Sequence, residues 1–111
     1  MLKVTSNPTF THTVDVLIPI NGGHEKQSLK VTFRVIDSDE EQDEKHDLNT
    51  ITGSLAFCRD VIVSFDDMVD EADKPLPYSD ALRDQLLKKP YIRTPIARAY
   101  YDAVTKATLG N

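Results

Sequence analysis

Two runs of strictly alternating side chains flank Asn21-Gly22-Gly23-His24, and no other feature constrains the fold as much. In the first run Phe10, His12, Val14, Val16, Ile18 and Ile20 fall on one side, opposite Thr11, Thr13, Asp15, Leu17 and Pro19. In the second, Leu29, Val31, Phe33 and Val35 stand opposite Ser28, Lys30, Thr32 and Arg34. A period of two is that of a strand with one face buried. Asn-Gly and Gly-Gly supply positive φ at little cost, so the segment between the runs reads as a tight turn. An antiparallel hairpin over about 10–36 follows. Pro19 has no N–H for the ladder and belongs at an edge or near the strand's end.

A lone hairpin is marginal in water, so its apolar face needs a cover. The chain has 111 residues, 40% of them hydrophobic, which suits one domain with a real core. The predicted fold is α+β: one domain over 1–111, with the hairpin packed by three to four helices from about 38–110. Residues 2–5 offer a third short strand. Ser38 or Asp39 caps an acidic helix over 39–48 that has almost no apolar face. The stretch 49–54 reads as a break at Gly53. Leu55, Cys58, Ile62 and Phe65 then recur at helical spacing, while β-branched Val61-Ile62-Val63 leaves a strand open at 61–65.

Residues 66–77 form a polar loop closed by Pro75 and Pro77, and Ser79 caps a short helix over 80–88 that Pro90 stops. The last helix reads as Thr94 at the cap, Pro95 at the first position and Gly110 past the end, with Ile96, Tyr100, Ala103, Val104 and Ala107 inward. The expected core comprises Val14, Val16, Ile18, Leu29, Val31, Phe33, Leu55, Ile62, Phe65, Leu82, Leu86, Ile96, Tyr100 and Val104.

Several function classes fit poorly. One cysteine, Cys58, makes no internal disulfide and points to a reducing compartment. No apolar run approaches the length of a membrane span. With 13 basic and 18 acidic side chains the net charge is -5, which disfavours nonspecific nucleic-acid binding. A calcium loop fails on spacing. From Asp66 the third position is Met68, from Asp67 it is Val69, and from Asp37 the glycine and final glutamate positions hold Gln42 and Leu48. His12, His24 and His46 have no partner at metal-ligand spacing. Cys58 falls on a buried stripe with no activating neighbour in sequence. No catalytic, cofactor or metal site is therefore assigned.

The C-terminal third interleaves Tyr78, Tyr91, Tyr100 and Tyr101 with Lys88, Lys89, Arg93 and Arg98. Tyrosine and arginine are enriched at protein–protein hot spots. After the core is assigned, Tyr91, Arg98, Tyr101 and Leu109 remain as candidate partner-binding side chains on or just before the last helix. The acidic stretch 37–47 would keep the surface solvated and steer basic segments toward it.

Read in order, the whole chain resembles the tail assembly chaperones of long-tailed, non-contractile siphophages. Asn7-Pro8-Thr9-Phe10 leads into the alternating strand. An acidic segment precedes an apolar one that ends at Phe65. The most specific part is Asp70-Glu71-Ala72-Asp73-Lys74-Pro75-Leu76-Pro77-Tyr78-Ser79, followed by Ala81-Leu82 and Leu86-Leu87, then Ile96-Ala97, Ala99-Tyr100 and the terminal Leu109-Gly110-Asn111. The family usually has a tryptophan before the acidic turn; this chain has none, and Phe65 takes its place. The resemblance implies a non-enzymatic protein of the host cytoplasm, absent from the finished virion. It would hold a tape-measure protein and recruit tail-tube subunits, with self-association open, no cofactor and no membrane. Such proteins often have a longer frameshifted form. The alternative is a small regulatory or nucleic-acid-associated phage protein.

Overall fold

The computed structural model describes residues 1–106. Strand β1 (Thr9–Ile20) and strand β2 (Gly23–Arg34) pair in unbroken register, from Thr9 opposite Arg34 to Ile20 opposite Gly23. The turn between them has two residues, and Gly22 supplies the positive φ, 79°. The sheet order is β1-β2-β3. Helix α1 (Ile51–Val61) runs directly into β3 (Ile62–Asp66), and helices α2 (Asp80–Leu87) and α3 (Pro90–Thr105) follow. The architecture is α+β, a three-stranded antiparallel sheet with three helices among the described residues.

The alternation holds through the middle of the hairpin and fails at its ends, where His12 and Ile20 are exposed and Ile36 rather than Val35 is buried. Val14, Val16, Leu29, Val31 and Phe33 are buried, and their alternate neighbours face out. Phe33, Phe57, Phe65, Leu87 and Ile96 are the largest fully buried side chains, each contributing about 1.5–3 kcal/mol by leaving water. Rings link the layers: Tyr100 lies edge-on to Phe33 and to Phe57, at 5.7 and 5.3 Å. Its hydroxyl accepts from the Ile36 N–H at 3.1 Å, fastening the end of β2 to α3.

Local signals set most ends. Thr50 caps α1, its hydroxyl accepting from Gly53 N–H, and Ser79 caps α2 by accepting from Leu82 N–H. At the other end of α2, Arg93 donates from Nη1 to Leu87 O at 2.8 Å, where the helix leaves carbonyls free.

Five sequence expectations need correction. The third strand is β3, not residues 2–5, which are exposed and unpaired. The acidic helix over 39–48 is absent. With no apolar stripe to bury, the segment folds as successive turns, such as Glu41 N–H to Asp37 O and His46 N–H to Gln42 O. Gly53 is no break but lies within α1, where a Cβ would collide with Asp47 O. The last helix starts at Pro90, not after Thr94. Pro90 takes the first position, burial of Ile92 and Arg93 holds the first turn down, and Pro95 is carried inside the helix at the loss of one backbone bond.

The fifth correction concerns the core. Val104 is 38% exposed, while Ile18, Leu55, Leu82 and Leu86 are half-buried. Ile36, Phe57, Cys58, Val61, Leu87 and Ile92 take up the rest of the interior. The apolar stretch after Gly53 is helix only to Val61, and the strand left open in the sequence is the one that forms.

Candidate functional site

Helix α3 presents one long face away from the core, and Arg98 stands exposed in the middle of it. On one side lies a groove of about 460 Å³ against the start of α1, lined by Leu48, Thr50, Ile51, Thr94, Arg98 and Tyr101 among others. On the other lies a groove of about 450 Å³ against β1, lined by Thr13, Asp15, Leu17, Tyr91, Pro95, Arg98 and Asp102 among others. Thr94 and Arg98 form the ridge shared by both.

Three of the four residues singled out in the sequence thus meet on one surface. Tyr91 is half-buried in the β1 groove, Arg98 borders both, and Tyr101 lines the α1 groove. Leu109 lies outside the described residues. Tyr101 is less free than expected. Its ring stacks parallel to Phe57 with centroids 5.2 Å apart, and its hydroxyl donates to Glu41 Oε1 at 2.6 Å. Burial, then the Glu41 carboxylate, push its phenol up to about 12. Tyr101 therefore ties the 37–50 loop to α3 as well as shaping the groove.

Sequence reasoning missed Thr94 and Asp102, and the β1 positions facing them. The signal was present: Thr94, Arg98 and Asp102 follow at intervals of four and share a helix face. Neither Arg98 nor Asp102 makes an ion pair or hydrogen bond among the described residues.

Other titratable groups are occupied structurally. Burial pushes the Cys58 thiol up to about 12, which keeps it protonated and unreactive at neutral pH. Its Sγ faces Arg93 O at 4.0 Å. In the acidic loop, Asp70 Oδ1 accepts from the Ala72 and Lys74 N–H groups, so that carboxylate closes a turn. Among the described residues no group of three or more His, Cys, Asp or Glu side chains converges as a metal site requires. The arrangement is suited to holding chain segments along open grooves. No family model, curated protein or solved structure matches this chain.

Proposed function

We propose that this chain is a non-enzymatic tail assembly chaperone that binds a tape-measure protein and brings tail-tube subunits to it in the host cytoplasm, leaving before the virion is complete. The observation that carries the reading is the Arg98 ridge, flanked by Tyr91 on one side and Tyr101 on the other, with an open groove along each. A transient binder needs a modest interface with a few aromatic or arginine anchors rather than a deep pocket. The Lys74-Pro75-Leu76-Pro77-Tyr78-Ser79 segment that underlies the resemblance also has a structural part. Leu76 N–H donates to Met68 O at 2.8 Å, and Ser79 caps α2, so the segment sets where α2 begins.

The test begins with gene neighbourhood, where a tape-measure gene just downstream is expected, and continues with co-expression of this chain and the product of that gene. The wild-type chain is expected to co-purify with it, and Arg98→Ala to lose most of the yield at unchanged melting temperature. Equal recovery with Arg98→Ala would move the contact off this ridge. Failure of the wild-type chain to bind, together with salt-sensitive retardation of labelled DNA or RNA, would favour the nucleic-acid alternative.

A further inference from the structure

We propose that the groove between β1 and α3 takes an extended peptide that joins the sheet as a fourth strand, antiparallel to β1, with an acidic side chain against Arg98 and, two residues later, a basic one against Asp102.

The backbone of β1 is half used. Val35 N–H donates to Pro8 O at 3.3 Å, and Ile20 and Gly23 close the two-residue turn, so even-numbered positions of β1 bond to β2. Thr9, Thr11, Thr13, Asp15 and Leu17 then point their N–H and C=O groups outward from the sheet. No backbone hydrogen bond among the described residues reaches them from outside the hairpin. Pro19 falls in the same outward set and has no N–H to offer, so pairing stops there.

The two edges of the sheet are built differently. β3 has five residues, a break in its register beside Thr32 and Phe33, and Asp66 and Asp67 at its end. Those are the devices that keep a free edge from pairing. β1 has 12 residues in unbroken register. The one charge along it, Asp15, is neutralised by Lys26 at 3.4 Å. An edge this long and unguarded is suited to receiving a strand.

The groove defines what that strand carries. α3 runs antiparallel to β1: Tyr100 stacks on Phe10, and Ala103 and Val104 share a cavity with Pro8, Phe10 and His12, while Tyr91 lines the groove that reaches Leu17. A peptide antiparallel to β1 therefore runs parallel to α3. Arg98 and Asp102 are four residues apart, a rise of about 6 Å. Same-face side chains of a strand repeat every ~6.8 Å. An acid followed two residues later by a base meets Arg98 and then Asp102, and the positions before them lie over Tyr91 and Pro95, which favours apolar side chains there.

A second copy of the chain fits this edge poorly. α3 packs over β1. Pairing β1 with its own copy would bring the two copies of α3 side by side on one face of the joined sheet, over strands only about 4.8 Å apart, where packed helices need about 8–10 Å. The inference goes beyond the tape-measure reading, because it concerns which peptide the groove accepts and needs no phage component to test.

The test is fluorescence anisotropy with the full chain and a labelled peptide, Thr-Val-Thr-Val-Thr-Glu-Thr-Lys-Thr, against the same peptide with Glu and Lys exchanged. The wild-type chain is expected to bind the first at least tenfold more tightly, and Arg98→Asp with Asp102→Arg to reverse the preference. Thr13→Pro removes an outward N–H without touching the β1–β2 ladder, and is expected to abolish binding. No binding of the first peptide, equal binding of both peptides, or a folded Thr13→Pro chain that binds as wild type would each overturn the proposal. So would a dimer in light scattering that Thr13→Pro converts to monomer, since a second copy would then hold the edge. If Thr13→Pro does not fold, the charge exchange decides alone.

Discussion

His46 Nε2 lies 2.6 Å from Asp60 Oδ2, joining the 37–50 loop to α1 through a side chain that is only 1% exposed. The ring's other nitrogen, Nδ1, accepts from the Gln42 N–H at 3.0 Å, so the proton sits on Nε2 and is donated to the carboxylate. Phe57 meets the imidazole edge-on at 6.0 Å. His46→Ala removes two hydrogen bonds and a buried ring. A loss of about 2–3 kcal/mol in urea unfolding is expected, with His46→Gln recovering part of it.

Acid should attack the same contact. Burial raises the Asp60 carboxyl, but the hydrogen bonds from His46 and Lys45 and the Lys45 charge outweigh it, leaving its pKa below the ordinary value. A depressed folded pKa gives stability that is complete above about pH 4 and is lost as pH falls through the lower folded value. Urea midpoints between pH 2 and 7 are expected to show this acid limb, and Asp60→Asn to flatten it.

Gly53→Ala separates helix propensity from crowding. In an open helix the change is worth about 1 kcal/mol of stabilisation. At this position the new methyl would collide with the backbone O, N and C atoms of Asp47, and backbone does not swing aside as a side-chain tip does. Net destabilisation by about 2–4 kcal/mol is expected, read as a fall in Tm.

Tyr101 and Arg98 are neighbours on the ridge but should respond differently to truncation. Tyr101→Ala breaks the stack on Phe57 and the bond to Glu41, so a cost of about 2–4 kcal/mol is expected. Arg98→Ala touches no bonded partner and should leave Tm unchanged within error. Tyr101→Phe keeps the stack and isolates the hydroxyl, with about 1 kcal/mol expected.

The hairpin was legible because alternation, a glycine turn and one proline all agreed, and the α2 start because Ser79 stands alone before an apolar pattern. β3 was ambiguous for a physical reason. Thr32 lies opposite Ser64 but Phe33 lies opposite Ile62, so Val63 is an extra residue in the strand. The insertion turns Ile62 and Phe65, three apart, to the same buried side. A spacing of three is a helical one, and the bulge imitates it. The acidic segment misled in the opposite way: its cap and charge suited a helix, but it has no apolar stripe, and tertiary bonds from His46 to Asp60 and from Tyr101 to Glu41 hold it as turns. In the candidate site, Arg98 and Tyr101 could be read from composition. Asp102 and the β1 edge could not, because only the antiparallel crossing of α3 over β1 brings them together.

β3 covers β2 only from Lys30 to Phe33, leaving the far half of the hairpin as a two-stranded ribbon beyond the third strand. Arg93, meanwhile, reaches the end of α2 through its guanidinium and faces the Cys58 thiol of α1 through its carbonyl, so one residue of α3 touches both other helices. These two features divide the molecule into a cooperative block and a protruding arm. Amide protons of the helices and of the Val31 region should exchange with deuterium together, at the rate of global unfolding. Those of Glu25 and Gln27, which bond only across the hairpin to Ile18 and Val16, should exchange sooner, as the ribbon frays from its tip. Only the tip past Ile18 can then bend and twist freely, because Val16 and Leu29 are buried in the core and hold the rest of the ribbon to the block.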